Sequence, residues 1–279
     1  MSFEMKKRGR PSKADIAART PTVPLPVLSD KEILTDLNER FRILSVLTKG
    51  AIAGNIPAVV VTGAPGVGKS FTVERDLNVS DTPHEVITGS MSAVNLYKLG
   101  YKYRRPGSVL VLDDVDTVFN DEQALNLLKA MCDSSSTRRV SWMKESPALI
   151  EDDIPRSYEF EGSVIFISNL DFQKFVDDGK NKYAPHMEAL MSRSMYLDLR
   201  LHNRNVIGVW VEYIATTGKI FERENVPSHM IPSIKSFLTD YRDNLRELSI
   251  RTLLKLCQLS KSNPNDWQGM ARVLLTRGY

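Results

Sequence analysis

The sequence predicts an α/β fold in which a parallel sheet flanked by helices is followed by a small all-helical lid. Short apolar runs rich in β-branched residues alternate with helical patterns as far as about residue 202, and this alternation is typical of parallel strands covered on both faces. Beyond that point only helical patterns remain, at 204–222, 229–244, 249–261 and 265–277. We therefore expect three regions: a basic disordered tail with a linker at 1–28, an α/β core at 29–202 and a helical lid at 203–279.

The predicted elements follow one another in a regular order. Three prolines in TPTVPLPVL (20–28) indicate a semi-rigid linker. The segment after it begins with a Ser/Asp cap and carries apolar residues at helical spacing until Gly54. Strand-like runs then lie at 57–62, 85–88, 108–113 and 163–168, with helical stretches between them.

Composition and cysteine usage narrow the class of protein. A hydrophobic share of 42% and a charged share of 25% are typical of a globular protein with a packed core. Cys132 and Cys257 lie far apart and form no C-x-x-C pair, which excludes a cysteine-rich zinc module and suits a reducing cytosol. The four histidines show no metal-ligand spacing. No apolar run approaches the ~18 residues of a membrane span and no signal-peptide core is present, so we expect a cytoplasmic protein without membrane contact.

The basic residues are concentrated at the N-terminus. The formal net charge is +3, yet the first 20 residues alone hold six basic and two acidic side chains. Within them Arg8, Gly9, Arg10 and Pro11 resemble the core of an AT-hook, since an extended R-G-R-P segment fits the narrow, strongly negative minor groove of A·T tracts. The alternative is a disordered basic tail without groove preference, which would itself favour nucleic acid weakly.

The loop GAPGVGKS at 63–70 predicts a phosphate-binding site. Gly63, Gly68, Lys69 and Ser70 fit the pattern G-x-x-x-x-G-K-[ST], in which glycines let backbone N–H groups face the phosphates. Lys69 would reach the β- and γ-phosphates of ATP, and the Ser70 hydroxyl would bind Mg²⁺. A strand-like run before the loop and a helix start after it are the context that such a loop requires; the alternative is a glycine-rich turn. The remaining predicted nucleotide contacts are Ala64, Pro65, Gly66, Val67 and Phe71.

Two later strands end in polar residues suited to nucleotide hydrolysis. The run SVLVLDDVD (108–116) places Asp113 where it could hold Mg²⁺ and Asp114 where it could deprotonate the attacking water. The alternative for this pair is a buried strand that leaves the sheet through an acidic turn. The strand in VIFISNL (164–170) ends at Asn169, whose amide could orient the water or sense the γ-phosphate.

These motifs resemble those of the AAA+ ATPases, a ring-forming family of P-loop proteins, over about residues 30–279. GAPGVGKS matches the family's Walker A, VLVLDD its Walker B and Asn169 its sensor 1. The segment EALMSRSMYLDL (188–199) is similar to the one that carries the arginine finger, and LSIRTLLKL (248–256) to the sensor 2 helix. The resemblance implies ATP and Mg²⁺ as cofactors, assembly into a ring, and catalytic roles for Arg193 and Arg251.

The two arginines have a physical rationale. A planar, permanently charged guanidinium that meets the γ-phosphoryl oxygens lowers the barrier as charge develops there. The alternatives are a solvated cation at a helix end for Arg193 and a surface residue of the lid for Arg251. Walker B here ends in Asp-Asp, whereas most AAA+ proteins have Asp-Glu. The shorter acid would leave the water more distant from Asp114, although Asp-Asp also occurs in members that act on DNA.

An insertion of about 45 residues between Walker B and sensor 1 predicts a β-hairpin, because its second half alternates in the strand manner around a Pro/Asp-rich turn. Its position is similar to that of the pre-sensor 1 hairpin of one AAA+ branch, which in ring helicases enters the pore and grips nucleic acid. Arg138, Arg139 and Lys144, with Trp142 as a stacking surface, would supply such a grip. The acidic turn would repel phosphates, so a structural or subunit-contact hairpin is the alternative.

A second candidate for nucleic-acid contact is LYKLGYKYRR (96–105), where tyrosines alternate with cations that include Lys102 and Arg104. Aromatic residues among cations suit single-stranded nucleic acid, although aromatic pore loops also grip polypeptides.

The sequence therefore predicts an AAA+ ATPase that forms a ring, expected to be a hexamer, and couples ATP hydrolysis to work on DNA. Helicase, helicase loading and DNA remodelling in replication or packaging are all open. A protein-remodelling chaperone whose tail recruits a protein partner is one alternative, and a DNA-binding nucleotide switch with little turnover is another. DNA-stimulated turnover, protein-stimulated turnover and tight binding without turnover would distinguish the three.

Overall fold

The computed structural model describes residues 28–178, 184–201 and 203–278. The AT-hook-like segment at 8–11 and nearly all of the linker lie outside the described residues, as does His202. Five strands form the central sheet: β1 (Ala58–Thr62), β2 (His84–Thr88), β3 (Val109–Asp113), β6 (Ser163–Ser168) and β7 (Met195–Asp198). Two further strands, β4 (Arg139–Ser141) and β5 (Ser157–Glu159), form a separate antiparallel pair.

The central sheet is parallel throughout, in the order β2-β3-β6-β1-β7. Because the strands are parallel and in register, their carboxyl ends share one edge: Thr62 lies opposite Ser168 of β6, and Asp113 lies opposite Ile167. Helices cover the sheet, and a helical region follows it, which confirms the predicted fold class of a P-loop α/β core with a helical lid. The carboxyl edge of the sheet therefore gathers the ends of the strands that the sequence singled out.

The helices of the core are α1 (Asp30–Ile52), α2 (Lys69–Asn78), α3 (Ala93–Lys102), α4 (Glu122–Met131), α5 (Pro147–Glu151), α6 (Phe172–Asp178) and α7 (Ala184–Arg193). The first begins as predicted, with a capping box between Ser29 and Glu32. Its buried face includes Leu37 and Leu44, which join a core cluster with residues of β1 and α2. The long helix thus braces the strand and the helix on either side of the predicted phosphate loop.

The prediction missed β7 at one edge of the sheet. This strand has four residues, of which Leu197 is buried while Met195 is 53% exposed. A run this short, with one buried apolar side chain, gives too few repeats for a strand period to be recognised.

The insertion contains the predicted hairpin pairing, with Val140 opposite Tyr158. Its connection is longer than a turn and includes α5. The expected stacking surface is wrong: Trp142 is only 8% exposed, because its ring packs against Tyr97 of α3. Tyr97 is itself fully buried and its hydroxyl donates to the Pro155 carbonyl. These aromatic residues attach the insertion to the core.

The lid consists of α8 (Arg204–Thr217), α9 (Ile220–Arg223), α10 (Ile231–Asp240), α11 (Ile250–Ser262) and α12 (Trp267–Leu275). The pattern predicted as one helix at 204–222 is two, because the chain breaks at Lys219, whose φ is +53°. The lid has its own core cluster, in which Phe237, Leu253 and Trp267 take part. Among the helices described, none is both long and apolar enough to cross a bilayer.

Candidate nucleotide-binding and catalytic site

A cleft of about 480 Å³ lies between the carboxyl edge of the sheet and the lid. The phosphate loop and the ends of β3 and β6 provide its polar side, and α1 and the lid provide its apolar side. The residues that line it include Phe41, Gly66, Val67, Gly68, Lys69, Ser70, Phe71, Asp113, Asp114, Asn169, Trp210, Ile214, Ile220, Arg223, Ile250, Arg251 and Leu254. One polar end and one apolar wall suit a nucleotide, which joins an anionic chain to an aromatic base.

The loop has the backbone geometry that its glycines predict. Gly66 and Gly68 have φ values of +67° and +107°, in the left-handed region that favours glycine. A Cβ on Gly66 would lie 2.9 Å from the Cβ of Ser249 in the lid, so this position also requires close approach. Gly68 precedes α2, whose first turn has no side-chain cap. The free N–H groups of that turn face the loop and favour an anion.

Lys69 is buried at the centre of the site, with 6% of its surface exposed. Its Nζ donates to the carbonyl oxygens of Gly63 (2.7 Å) and Ala64 (2.8 Å) and to Oδ1 of Asn169 (2.8 Å). Burial lowers the pKa of Lys69 to about 8, against the opposing effects of Asp114 and Asp113. The ammonium is thus held by the loop's own carbonyls and by the end of β6.

The two side chains predicted to hold a metal ion, Ser70 and Asp113, are hydrogen-bonded to each other. Burial raises the pKa of Asp113, and a hydrogen bond with Ser70 opposes that rise. In the parts of the chain that are described, no cluster of three or more acidic, histidine or cysteine side chains could hold a metal ion. Ser70 and Asp113 would therefore contribute two ligands, and the rest would be phosphate oxygens and water, as Mg²⁺ commonly requires.

Asp114 and Asn169 are joined directly. The Asn169 amide nitrogen donates to Oδ1 of Asp114, while its amide oxygen accepts from Lys69. Asp114 has a φ of +57°, and its backbone N–H donates to the Ile167 carbonyl at 3.0 Å. This turn directs the Asp114 carboxylate to the end of β6. Asn169 consequently links Lys69, the predicted phosphate-binding lysine, to Asp114, the predicted base.

Sequence reasoning missed Asp116. Its Oδ1 accepts from the Ser168 hydroxyl at 2.7 Å, and the Ser168 oxygen accepts in turn from the backbone N–H of Leu170 at 3.0 Å. Burial raises the pKa of Asp116. These bonds fix the turn that carries Asn169. The signal was present in VLVLDDVD, as a third acid two residues beyond the pair.

Sequence reasoning also missed the attachment of the lid to the loop. The Trp210 indole N–H donates to the Val67 carbonyl at 3.0 Å, and the backbone N–H of Ile250 donates to the Gly66 carbonyl at 2.8 Å. Trp210 is stacked on Phe41 of α1, with ring centroids 4.5 Å apart. Trp210 lies in an ordinary apolar helical pattern, so nothing in its spacing indicates this role.

The two predicted catalytic arginines lie in different places. Arg251 lines the cleft, near enough to Lys69 to lower that group's pKa. Arg193 ends α7 and is not among the residues that line the cleft. Its guanidinium donates to the Ala189 carbonyl at 3.0 Å and lies 3.4 Å from a carboxylate oxygen of Asp133. A role for Arg193 in hydrolysis therefore requires a neighbouring subunit and stays a prediction.

The residues predicted to contact nucleic acid are mostly engaged within the chain. Arg138 donates to the carbonyls of Met131 and Gly162, at 2.9 and 2.7 Å. Lys102 donates to Glu85 at 2.7 Å, and the Arg104 guanidinium lies 3.7 Å from the centroid of the Tyr101 ring.

Arg139 and Lys144 are exposed, and Arg139 lies 3.7 Å from Glu159. Contact with nucleic acid stays a prediction for all five.

The solved structures that this chain resembles have low sequence identity to it. The Holliday junction branch migration motor RuvB of Thermotoga maritima is 14% identical, with a TM-score of 0.45 over 85% of this chain and 69% of that chain. NtrX from Brucella abortus in complex with ATP is 10% identical, with a TM-score of 0.44 over 82% and 49%. A Walker-type ATPase of Pyrococcus abyssi is 12% identical, with a TM-score of 0.43 over 85% and 70%.

Sequence comparison identifies a nearer relative. No protein-family model matches the chain. The uncharacterized 36.7 kDa protein in the nrdC-mobD intergenic region of Enterobacteria phage T4 is 36% identical over 247 residues. The match covers 87% of this chain and 75% of the phage protein. The chain therefore belongs to the same family as this phage T4 protein.

Proposed function

We propose that this protein is an AAA+ ATPase that assembles into a ring and couples ATP hydrolysis to work on DNA. The main support for this proposal is a chain of hydrogen bonds beside the phosphate loop, which connects Lys69 to Asn169 and Asn169 to Asp114. A glycine-rich turn or an acidic strand end, the plainer interpretations of the same motifs, would not bring these three groups together.

Each predicted site residue would have its own task in ATP hydrolysis. Ser70 and Asp113 would hold Mg²⁺, which neutralises phosphate charge when bound. The Lys69 ammonium would exchange its carbonyl partners for phosphate oxygens. Asp114 would accept the proton of the attacking water, and Asn169 would orient that water from its place between Lys69 and Asp114. Arg251 would approach the phosphates from the lid, and Arg193 would serve the site of a neighbouring subunit.

Action on DNA is supported by the N-terminal basic segment. Arg8 and Arg10 would enter the minor groove of A·T-rich duplex, where the negative potential is strongest. Arg139 and Lys144, exposed cations of the insertion, would be available for a further contact.

The test of the proposal is the steady-state ATPase rate of the full chain with and without single- and double-stranded DNA. We expect basal turnover that DNA stimulates. A protein starting at Pro21 should keep basal turnover and lose affinity for A·T-rich duplex, with a shallower salt dependence. Absence of any DNA binding or stimulation at physiological salt would contradict action on DNA. Tight nucleotide binding without turnover would indicate a switch.

One observation favours protein remodelling as a second candidate function. The connection between β4 and β5 exposes Met143 by 73% and Ile150 by 78%, next to the acidic side chains of Glu151 and Asp153. An apolar and acidic surface repels phosphates and suits a polypeptide. Turnover stimulated by an unfolded protein and indifferent to DNA would support this candidate over the first.

A further inference from the structure

Phe71 and Arg223 face each other across the cleft. Phe71 lies in the first turn of α2, and Arg223 is the last residue of α9 in the lid. The Arg223 guanidinium carbon lies 4.9 Å from the centroid of the Phe71 ring, and both side chains line the cleft. The Phe71 ring is 51% exposed, although it directly follows the phosphate loop. The pair therefore joins the core to the lid at the lining of the cleft.

Arg223 has a charge without an anionic partner. Over residues 28–178, 184–201 and 203–278, no carboxylate lies within ion-pair distance of its guanidinium, and the stacking on Phe71 is its one side-chain interaction. Neighbouring charges are already matched: Glu224 pairs with Lys261 at 3.4 Å, and Arg75 pairs with Asp76 at 2.7 Å. The donors of Arg223 are therefore available to an anion in the cleft.

The two lid arginines have different neighbours in the cleft. Arg251 is close enough to Lys69 and Asp113 to lower the pKa of both, whereas Arg223 is not among the charges that affect either. On a helix, successive side chains diverge by about 100°, so Phe71 points away from the direction in which Ser70 meets Asp113. Arg223 therefore lies over Phe71, whereas Arg251 lies nearer to Lys69 and Asp113.

We propose that Arg223, held over the Phe71 ring, binds the α-phosphate of the nucleotide. This inference rests on the nucleotide site of the proposed function and deepens it. Phe71 is also one of the first residues of α2, whose first backbone N–H groups have no partner within the helix and would be available to the same phosphate. A guanidinium donates in a planar fork that suits two phosphate oxygens. The lid would thus grip a phosphate that ATP and ADP share.

Calorimetric titration of the full chain with Mg-ATP and with Mg-ADP tests the proposal. Arg223→Ala should raise the dissociation constants of ATP and ADP by the same factor, about ten-fold, as expected for one charge-assisted bidentate contact. Arg223→Lys should recover part of the loss, because it keeps the charge without the planar fork. Since Arg223 is exposed, its truncation leaves no cavity, and an unchanged thermal midpoint would show that the lid is folded.

Lys235→Ala is the matched control. Lys235 is also a lid cation over an aromatic ring, 5.8 Å from the centroid of Phe221, but it is not among the residues that line the cleft. It should bind both nucleotides as the wild-type chain does. If Arg223→Ala binds both nucleotides normally, or loses ATP affinity alone, the α-phosphate assignment is overturned. If the wild-type chain binds neither nucleotide, the proposed function itself fails.

Discussion

The two sides of the cleft differ in how their charges are satisfied. On the sheet side, Lys69 is buried and bonded to two carbonyls and to Asn169, which is bonded in turn to Asp114. On the lid side, neither Arg251 nor Arg223 has a carboxylate within ion-pair distance among the described residues, although Arg251 is near enough to Asp113 to lower that group's pKa. Under the proposed function, the hydrolytic groups of the sheet side are organised before a nucleotide binds, whereas the lid cations would gain anionic partners from the nucleotide.

The two sides are nevertheless attached to each other through the loop backbone. Trp210 and Ile250 of the lid donate to the carbonyls of Val67 and Gly66. Any movement of the loop that accompanies phosphate binding must therefore shift the lid or break one of these bonds. In a ring, such a shift would be the mechanical output of the site.

The largest effect should follow from removing the central cation of the sheet side. Lys69→Ala should weaken ATP binding and reduce turnover by at least about 10³-fold, because a positive charge at the β- and γ-oxygens is lost. Steady-state ATPase assays and nucleotide titration check both parts. Lys129→Ala, on α4 and outside the cleft lining, is the control and should behave as wild type. Turnover by Lys69→Ala close to the wild-type rate would contradict the assignment of the loop.

A loss of turnover alone should follow from Arg193→Ala, since this residue lies outside its own chain's cleft. The variant should bind ATP normally and lose roughly 10³-fold in rate, as expected when a guanidinium is missing from the transition state. Asp114→Asn should likewise bind ATP without hydrolysing it. Mixing the two variants should restore activity, because a complete site forms where the two kinds of subunit meet.

The mixing ratio sharpens this experiment. Recovered rates should pass through a maximum at intermediate ratios, while either variant alone stays inactive. Failure to recover at every ratio would show that Arg193 acts within its own chain or on the surface.

The sequence predicted more of the sheet side of the cleft, where it missed Asp116, than of the lid side, where it predicted Arg251 and missed Trp210 and Arg223. Lys69, Asp113 and Asn169 each belong to a short contiguous motif. Within such a motif, the order of strand, loop and helix along the chain determines where the side chain lies. Trp210 and Arg223 lie about 140 to 150 residues beyond Val67 and Phe71, the residues that they contact. Their positions depend on how the lid packs, and no local pattern specifies that packing.

The insertion shows a second limit of prediction from local sequence patterns. Alternation correctly predicted the pairing of β4 with β5, but the side chains of Arg138 and Trp142 turned out to be engaged by the core. Period-2 alternation identifies a strand, and it does not determine which face meets solvent when a second layer packs on the hairpin.

A smaller effect should follow from Trp210→Phe, which keeps an aromatic ring against Phe41 and removes the donor to Val67. The buried carbonyl of Val67 would lose its partner, so the free energy of unfolding should fall by about 1–2 kcal/mol. Nucleotide affinity should fall a few-fold, because the loop loses its attachment to the lid. Denaturant unfolding and nucleotide titration measure the two effects. Trp267→Phe, in the lid core, should lose stability without losing affinity.

The smallest expected effect concerns the proton of Lys69 itself. Because burial lowers its pKa to about 8, the side chain is mostly neutral in the free protein at about pH 8.5. Phosphate oxygens favour the ammonium, so nucleotide binding at that pH should take up roughly half a proton or more, and far less at about pH 7. Calorimetry in buffers of different ionisation enthalpy measures this uptake. Lys69→Arg, which stays charged, should show none at either pH.

The same pKa shift has a consequence for stability with a definite sign. Between about pH 8 and the ordinary value of 10.5, the folded chain has released the Lys69 proton while the unfolded chain still holds it. The unfolded state then binds more protons, so the Lys69 contribution to the free energy of unfolding should rise with pH across this window. The difference between wild-type and Lys69→Arg unfolding curves isolates that contribution. A difference that is flat with pH would mean that the ammonium is not desolvated by the loop, and the sheet side would then be as dependent on its ligand as the lid.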